Sequence, residues 1–375
     1  MAPRSRRSAA LTAFPAILAL LTSCGQGAAT PSASTVPASS SAPRTATSAP
    51  LTLQAPEGLA FGPDGQLYVS DFSGNHVFRL EADGSLTVVA GNGVSGFSGD
   101  GGPAVAAQLR EPAGLAFDAE GNLLIADHHG NRIRMVDADG TITTVVGGGQ
   151  AGDGGPATEA RLDGPIAVAF DVGGALVVSD ALEHRLRRID DDSSIITTIA
   201  GNGQATPHGT GPSGDGEIAT AVPLTFPWYL AVAPSGDIFV ACSDRHRVYR
   251  IDPDGILHLV AGTGELGSAG DGGLAVEATL NWPNGLALGP DGSLFVSEGE
   301  GDRIRRIGPD GVISTYAGTG EGGFGGDGGP AVEAQLDGPF SLALDSAGNL
   351  FVADGNNGRV RRIDSAGAIT TVAGG

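Results

Sequence analysis

The stretch PAGLAFDAEGNLLIADHHGNRIRMVDADGTITTVVG, residues 112–147, decides the fold. Four runs in it, GLAF, NLLIAD, RIRMVD and TITTVVG, are rich in aliphatic and β-branched residues. Segments such as DAEGN and DADG between them carry the Asp and Gly of tight reversals. The unit therefore reads as four short antiparallel strands. Further copies open at Pro56, Pro165, Pro227, Pro283 and Pro339, at intervals of 53 to 62 residues, so six copies fill residues 51–375. One four-stranded unit cannot bury both of its faces, whereas a closed ring of them can. The expected architecture is all-β, a six-bladed β-propeller of four-stranded antiparallel blades. Every copy holds all four strands, so none is left to be shared between first and last blade. The spare segment LTLQ, residues 51–54, is expected to add an edge strand to the closing blade.

A second motif recurs between the copies: GFSGDGGPAVAAQL at 96–109, GDGGPATEARL at 152–162, GDGEIATAVPL at 214–224, GDGGLAVEATL at 270–280 and GDGGPAVEAQL at 326–336. A phosphate loop would need a Lys before its helix, and none is present. A calcium loop would need more side-chain oxygens than glycines supply. The motif thus reads as a structural joint, its proline starting a short helical turn. Asp100, Asp153, Asp215, Asp271 and Asp327 are expected to close their own turns by local hydrogen bonds, a weak cation ring being the alternative.

The pattern G-L-A-x-D-x-x-G-N-L-x-[IV]-A-D-x-x-x-N-R-[IV]-R-x-[IV], seen at residues 114–136, resembles the NHL repeat family of six-bladed propellers. The joint is similar to the version of that repeat found in teneurins and many bacterial surface proteins. The resemblance implies one NHL-type propeller over residues 51–375.

The N-terminus has another character. MAPRSRR is basic, AALTAFPAILALL is apolar but short, and LTSC at 21–24 ends in a cysteine. This resembles a bacterial lipoprotein signal, which implies a signal peptide over residues 1–23, lipidation of Cys24 and tethering to the outer face of the cell membrane. SRRSAAL weakly resembles a twin-arginine signal. Residues 24–50, almost only Ala, Ser, Thr, Pro and Gly, read as a disordered linker. Cys242 is the one other cysteine, so no internal disulfide forms in a chain lipidated at Cys24.

Asp and Glu number 42 against 21 Lys and Arg, every one of them arginine, for a formal charge of −21. Such a surface repels nucleic acid, which excludes nucleic-acid binding as the main activity.

Strand order assigns the loops to faces: tight Asp-Gly turns below, second-to-third loops and the joints above. Asp71, Asp127, Asp180, Cys242, Glu298 and Asp354 end the second strands, followed five residues later by His76, Arg132, Arg185, Arg247, Arg303 and Arg359. The repetition reads as a blade-stabilising ion pair. Function is sought where the copies differ. After each opening proline, at the mouth of the channel, stand Glu57, Ala113, Ile166, Trp228, Asn284 and Phe340, followed by Gly58, Gly114, Ala167, Tyr229, Gly285 and Ser341. Glu57, Ile166, Trp228, Tyr229, Asn284 and Phe340 are the candidate ligand-binding residues. The longest joint, 204–224, leads to Trp228 and Tyr229, expected to be exposed or packed on the next blade.

Gluconolactonase-like propellers place Glu, Asn, Asn and Asp at such mouth positions, and here only Glu57 and Asn284 match. The related peptide-amidating lyase holds zinc by channel histidines, which directs attention to His76, His128, His129, His184 and His246 in the top loops. Cys242 with His246 reads as a buried small residue, not a nucleophile. The expectation is a monomeric, non-catalytic propeller, without cofactor, that binds a protein, peptide or glycan of the cell envelope on its top face. The alternative is a lyase or lactonase using calcium or zinc at the channel mouth.

Overall fold

The computed structural model describes residues 52–211 and 213–375. The leader, Cys24 and the linker lie outside the described residues. Each repeat folds into an antiparallel sheet whose four strands follow chain order, and the six first strands open at the six prolines. Pro112–Phe117, Leu123–Asp127, Arg132–Val136 and Thr141–Gly147 make up blade 2. The first strands pack side by side around the channel, and the ring closes where Pro56–Phe61 meets Pro339–Leu344. In five blades the second strand is buried throughout, as in Leu123–Asp127, because both of its faces meet neighbouring blades. Six apolar clusters result, one seated at each blade interface.

The joints do not rest on top, as strand order alone suggests. Their ends do, but the middle runs down the outer edge of the following blade. Gly102 and Pro103 pair with Ile142 and Thr141 at the start of the outermost strand of blade 2. Pro156, Ile218, Leu274 and Pro330 bridge to Ile195, Ile256, Val312 and Ala368 in the same way. Each joint thus supplies a short extra edge to a strand whose outer N–H and C=O would otherwise face water. The expected helical turn is present as a three-residue 3-10 turn, as at Ala104–Ala106 after Pro103.

The described part of the LTLQ segment, residues 52–54, does not add a strand. Leu53 instead occupies the slot that Leu109 and Leu336 fill at the ends of their joints, buried with Leu59, Phe351 and Val360 between blades 6 and 1. The Gln54 and Ala55 N–H groups donate to the Asp71 carboxylate at 3.1 and 2.8 Å, as Arg110 N–H donates to Asp127 at 2.6 Å. The arm takes the place of the end of a sixth joint.

Candidate functional site

The repeated acids and arginines form scaffold, with different partners from those expected. The strand-end acid pairs with the arginine seven residues on: Asp180 with Arg187 at 3.1 Å, Glu298 with Arg305 at 3.2 Å and Asp354 with Arg361 at 3.1 Å. Asp127 lies 3.8 Å from Arg134. Alternation explains this, because the arginine five residues on stands directly across the ladder and turns into the joint, as Arg303 does toward Ser268 O and Thr319 O. The joint aspartates do not close their own turns either. Asp100, Asp153, Asp271 and Asp327 each accept from that same buried arginine, at 2.7, 2.5, 2.5 and 2.7 Å. Asp215 accepts from Leu259 N–H. Burial raises Asp127 to about 6 and Asp180 to about 7, partly offset by the backbone N–H and guanidinium groups on them.

At the channel mouth, second-strand serines hold the first strands in place: Ser70 Oγ donates to Ala113 O at 2.6 Å and Ser297 Oγ to Phe340 O at 2.6 Å. The strands approach so closely that a Cβ on Gly285 would lie 2.1 Å from Phe340 O. Glu57, Ile166, Tyr229 and Asn284 are buried, while Trp228 and Phe340 are half-buried. Of the two alternatives for Tyr229, exposed or packed, it takes the packed one, clustered with Ala113, Ile166 and Ala167. Burial raises the Glu57 carboxyl to about 8, and its Oε1 has no hydrogen-bond partner among the described residues. Tyr229 stands in the blade opposite Glu57 in the ring, and burial together with the charge of Glu57 pushes its hydroxyl well up. Asn284 accepts from Ser243 Oγ at 3.0 Å.

The histidines are dispersed. His128 lies under Pro165 O, and His129 pairs with Glu111. Among the described residues no group of three or more His, Cys, Asp or Glu is placed to hold a metal ion. Cys242 is fully buried, its thiol raised to about 12 by that burial.

An open cleft of about 580 Å³ lies on the top face where blades 4 and 5 meet, lined by His208, Thr210, His246, Glu265, Leu266 and Trp282 among others. The long third joint builds one wall. Gly209 N–H donates to Asp244 O at 2.9 Å, and His208 Nδ1 pairs with the Asp244 carboxylate. Trp282 N–H donates to His246 Nδ1 at 3.4 Å, which makes His246 neutral with its proton on Nε2. Burial, with His208 and Arg247 nearby, lowers His246 in the same sense. The His208 and His246 rings flank Trp282, with centroids 5.8 and 5.9 Å away.

The backbone at this cleft is strained, as it is before two other blade-opening prolines, where Glu111 and Phe226 stand at φ 57° and 48°. Trp282 directly precedes its own blade-opening proline at φ 52°. Blades 3 and 6 fill that slot with Gly164 and Gly338, at φ 60° and 59°. A bulky residue at positive φ before proline costs on the order of 1–3 kcal/mol, and such strain clusters at binding and catalytic sites. The sequence carried the signal one position before the residues singled out: the glycine slot is aromatic in adjacent blades, beside the longest joint.

The family model of the teneurin NHL domain matches residues 93–151, and that of the NHL repeat matches residues 53–79 and 224–249. The chain belongs to the NHL-repeat propellers. Teneurin-m of Drosophila melanogaster is 30% identical over 84% of this chain, which spans only 12% of that relative. Among solved structures, a streptogramin B lyase superposes with a TM-score of 0.53 at 15% identity, covering 86% of this chain and 84% of that one. An auxiliary nutrient binding protein of Bacteroides thetaiotaomicron superposes with a TM-score of 0.60 at 15% identity, covering 85% and 70%. One NHL-like fold is thus similar to both a lyase and a binding protein, and at such identity the likeness carries the fold alone.

Proposed function

We propose that this chain is an exported NHL propeller, tethered through Cys24, that captures a peptide, protein or glycan of the cell envelope in the cleft between blades 4 and 5 and catalyses nothing. The observation that carries this reading is Trp282, kept at a position where glycine would relax the backbone and presented between two imidazoles at the cleft. Aromatic rings on a rigid scaffold, beside polar groups, are the usual anchors of recognition. A lyase or lactonase using calcium or zinc would draw on Glu57 and Asn284 in the channel. A carboxyl that keeps its proton up to about pH 8 and an amide already bonded to Ser243 favour the binding reading.

The test uses full chains carrying Trp228→Phe, which leaves Trp282 as the sole tryptophan, titrated with envelope oligosaccharides and peptides while fluorescence is followed. Ligands that shift the emission are expected to lose at least tenfold in affinity in Trp282→Gly, which keeps its melting temperature because glycine is native to this slot in other blades. Affinity unchanged in that variant would sink the cleft. Recovery of Cys24→Ala in the soluble fraction checks the tether, and its retention in the membrane would remove it.

A further inference from the structure

Blades 1 to 5 are each tied to the next blade, at the top corner, by one repeated hydrogen bond. The residue that closes the second-to-third turn stands at a φ between 50° and 55°, and its side chain accepts from the backbone N–H just before the next opening proline. Asn75 Oδ1 accepts from Glu111 N–H at 3.0 Å, Asn131 Oδ1 from Gly164 N–H at 2.9 Å and Asp302 Oδ1 from Gly338 N–H at 3.1 Å. On both sides of blade 4 the acceptor is an imidazole. His184 Nδ1 accepts from Phe226 N–H at 3.2 Å, and His246 Nδ1 from Trp282 N–H at 3.4 Å. Asn, Asp and His share the slot because all three tolerate a left-handed backbone better than most side chains.

The exchange changes how the corner responds to acid. An amide oxygen accepts at any pH, and a carboxyl keeps an accepting oxygen after it takes up a proton. An imidazole accepts through Nδ1 only while neutral, and a second proton sets one donor against another. Burial holds His184 and His246 below the ordinary histidine value of 6.5. Asp244 and Glu183, which face His184, pull it the other way, whereas His208 and Arg247, beside His246, act with burial. Glu265 lines the same cleft as His246. The neutral rings belong to the native state, so their contribution is complete above 6.5 and declines as pH falls below it. Two further features make blade 4 responsive. Phe226 and Trp282 hold φ 48° and 52° before prolines, a strained backbone that relaxes once its bond is lost. Blade 4 also has Cys242 and Tyr249 where its neighbours have the buried pairs Asp180–Arg187 and Glu298–Arg305.

We propose that acid unlatches blade 4: protonation of His184 and His246 breaks both corner bonds, frees Phe226 and Trp282 from their left-handed backbone, and moves Trp282 out of the wall of the cleft. The corners with amide and carboxyl acceptors stay closed. The switch stands apart from the binding reading of the cleft, because it is measured with no ligand present.

Amide hydrogen exchange in the full chain, corrected for the intrinsic effect of pH, is compared at about pH 8 and about pH 5. Protection at Phe226 and Trp282 is expected to fall by about tenfold or more in acid, while that at Glu111 and Gly164 changes by less than about twofold. His246→Asn installs the acceptor of blades 1 and 2, so it should keep Trp282 protected in acid and leave Phe226 to open; His184→Asn should do the reverse. A loss that persists in the Asn variants, or that spreads equally to Glu111 and Gly164, overturns the proposal. Nitrogen-15 shifts of the imidazoles in the unsubstituted chain give a second reading. Uptake of a proton at both Nδ1 atoms as the two amides open supports the switch, and amides that stay protected after that uptake overturn it. So does removal of the response by His208→Asn alone, which would place the titrating group in the joint.

Discussion

Glu57 shows how strongly one position can depart from its repeat. Its counterparts in the first strands are Ala113, Ile166, Trp228, Asn284 and Phe340, and the carboxyl is buried with one oxygen lacking a partner among the described residues. In the unfolded chain it ionises near 4.5, whereas the native state holds its proton to about 8. Between those values the native state binds more protons, so stability falls as pH rises through this window and levels off above it. Glu57→Gln removes the slope. The variant is expected to match the parent at about pH 4 and to exceed it by on the order of 2–4 kcal/mol at about pH 9, read from denaturant melts. A parallel pair of pH profiles would show that the native environment holds the carboxylate as well as water does. That Glu57 breaks the symmetry was legible in the sequence. The sequence left Tyr229, across the ring from it, either exposed or packed, because alternation gives the face of a strand residue and not how far the opposing strands close the channel.

At the scale of the element, the strand-end acid, the buried arginine and the joint aspartate act as one clamp in blades 2, 3, 5 and 6, tying each joint to the blade it covers. Blade 4 replaces acid and arginine by Cys242 and Tyr249, both buried, and leaves Asp215 to the backbone of Leu259. Arg187→Tyr alone strands Asp180 without its cation and is expected to cost about 3–5 kcal/mol. Adding Asp180→Cys copies blade 4 and should return stability to within about 1 kcal/mol of the parent, since a buried ion pair is replaceable by a packed neutral one. A double variant no better than the single one in thermal melts would show that the arginine serves something other than its acid. The blades and their turns were readable because period-two patterning and Asp-Gly reversals are local signals. The path of the joints was not, because it is set by hydrogen bonds to a strand some 40 residues further on, as between Asp100 and Thr144. The cleft stayed hidden for a related reason: His208 and Trp282 meet only through the packing of two joints.

For the whole molecule, closure is the decisive event, and it is made without a strand shared between the ends. Leu53 fills at the seam the slot that Leu280 fills between blades 4 and 5, buried in an equivalent cluster. Leu53→Ala and Leu280→Ala are therefore expected to destabilise alike, each by about 2–5 kcal/mol in urea unfolding. A clearly smaller cost for Leu53→Ala would mark the seam as a weak point from which the ring opens. The seam has one more consequence. The carbonyl of Leu53 and the backbone of Gly374 both lie against Gly358, so the two ends of the ring meet at a single corner of blade 6. A domain with that geometry is a cassette: it can be spliced into a host polypeptide in place of one surface loop without parting the segments on either side. To the rest of such a chain, the whole propeller is a pendant hung from one point.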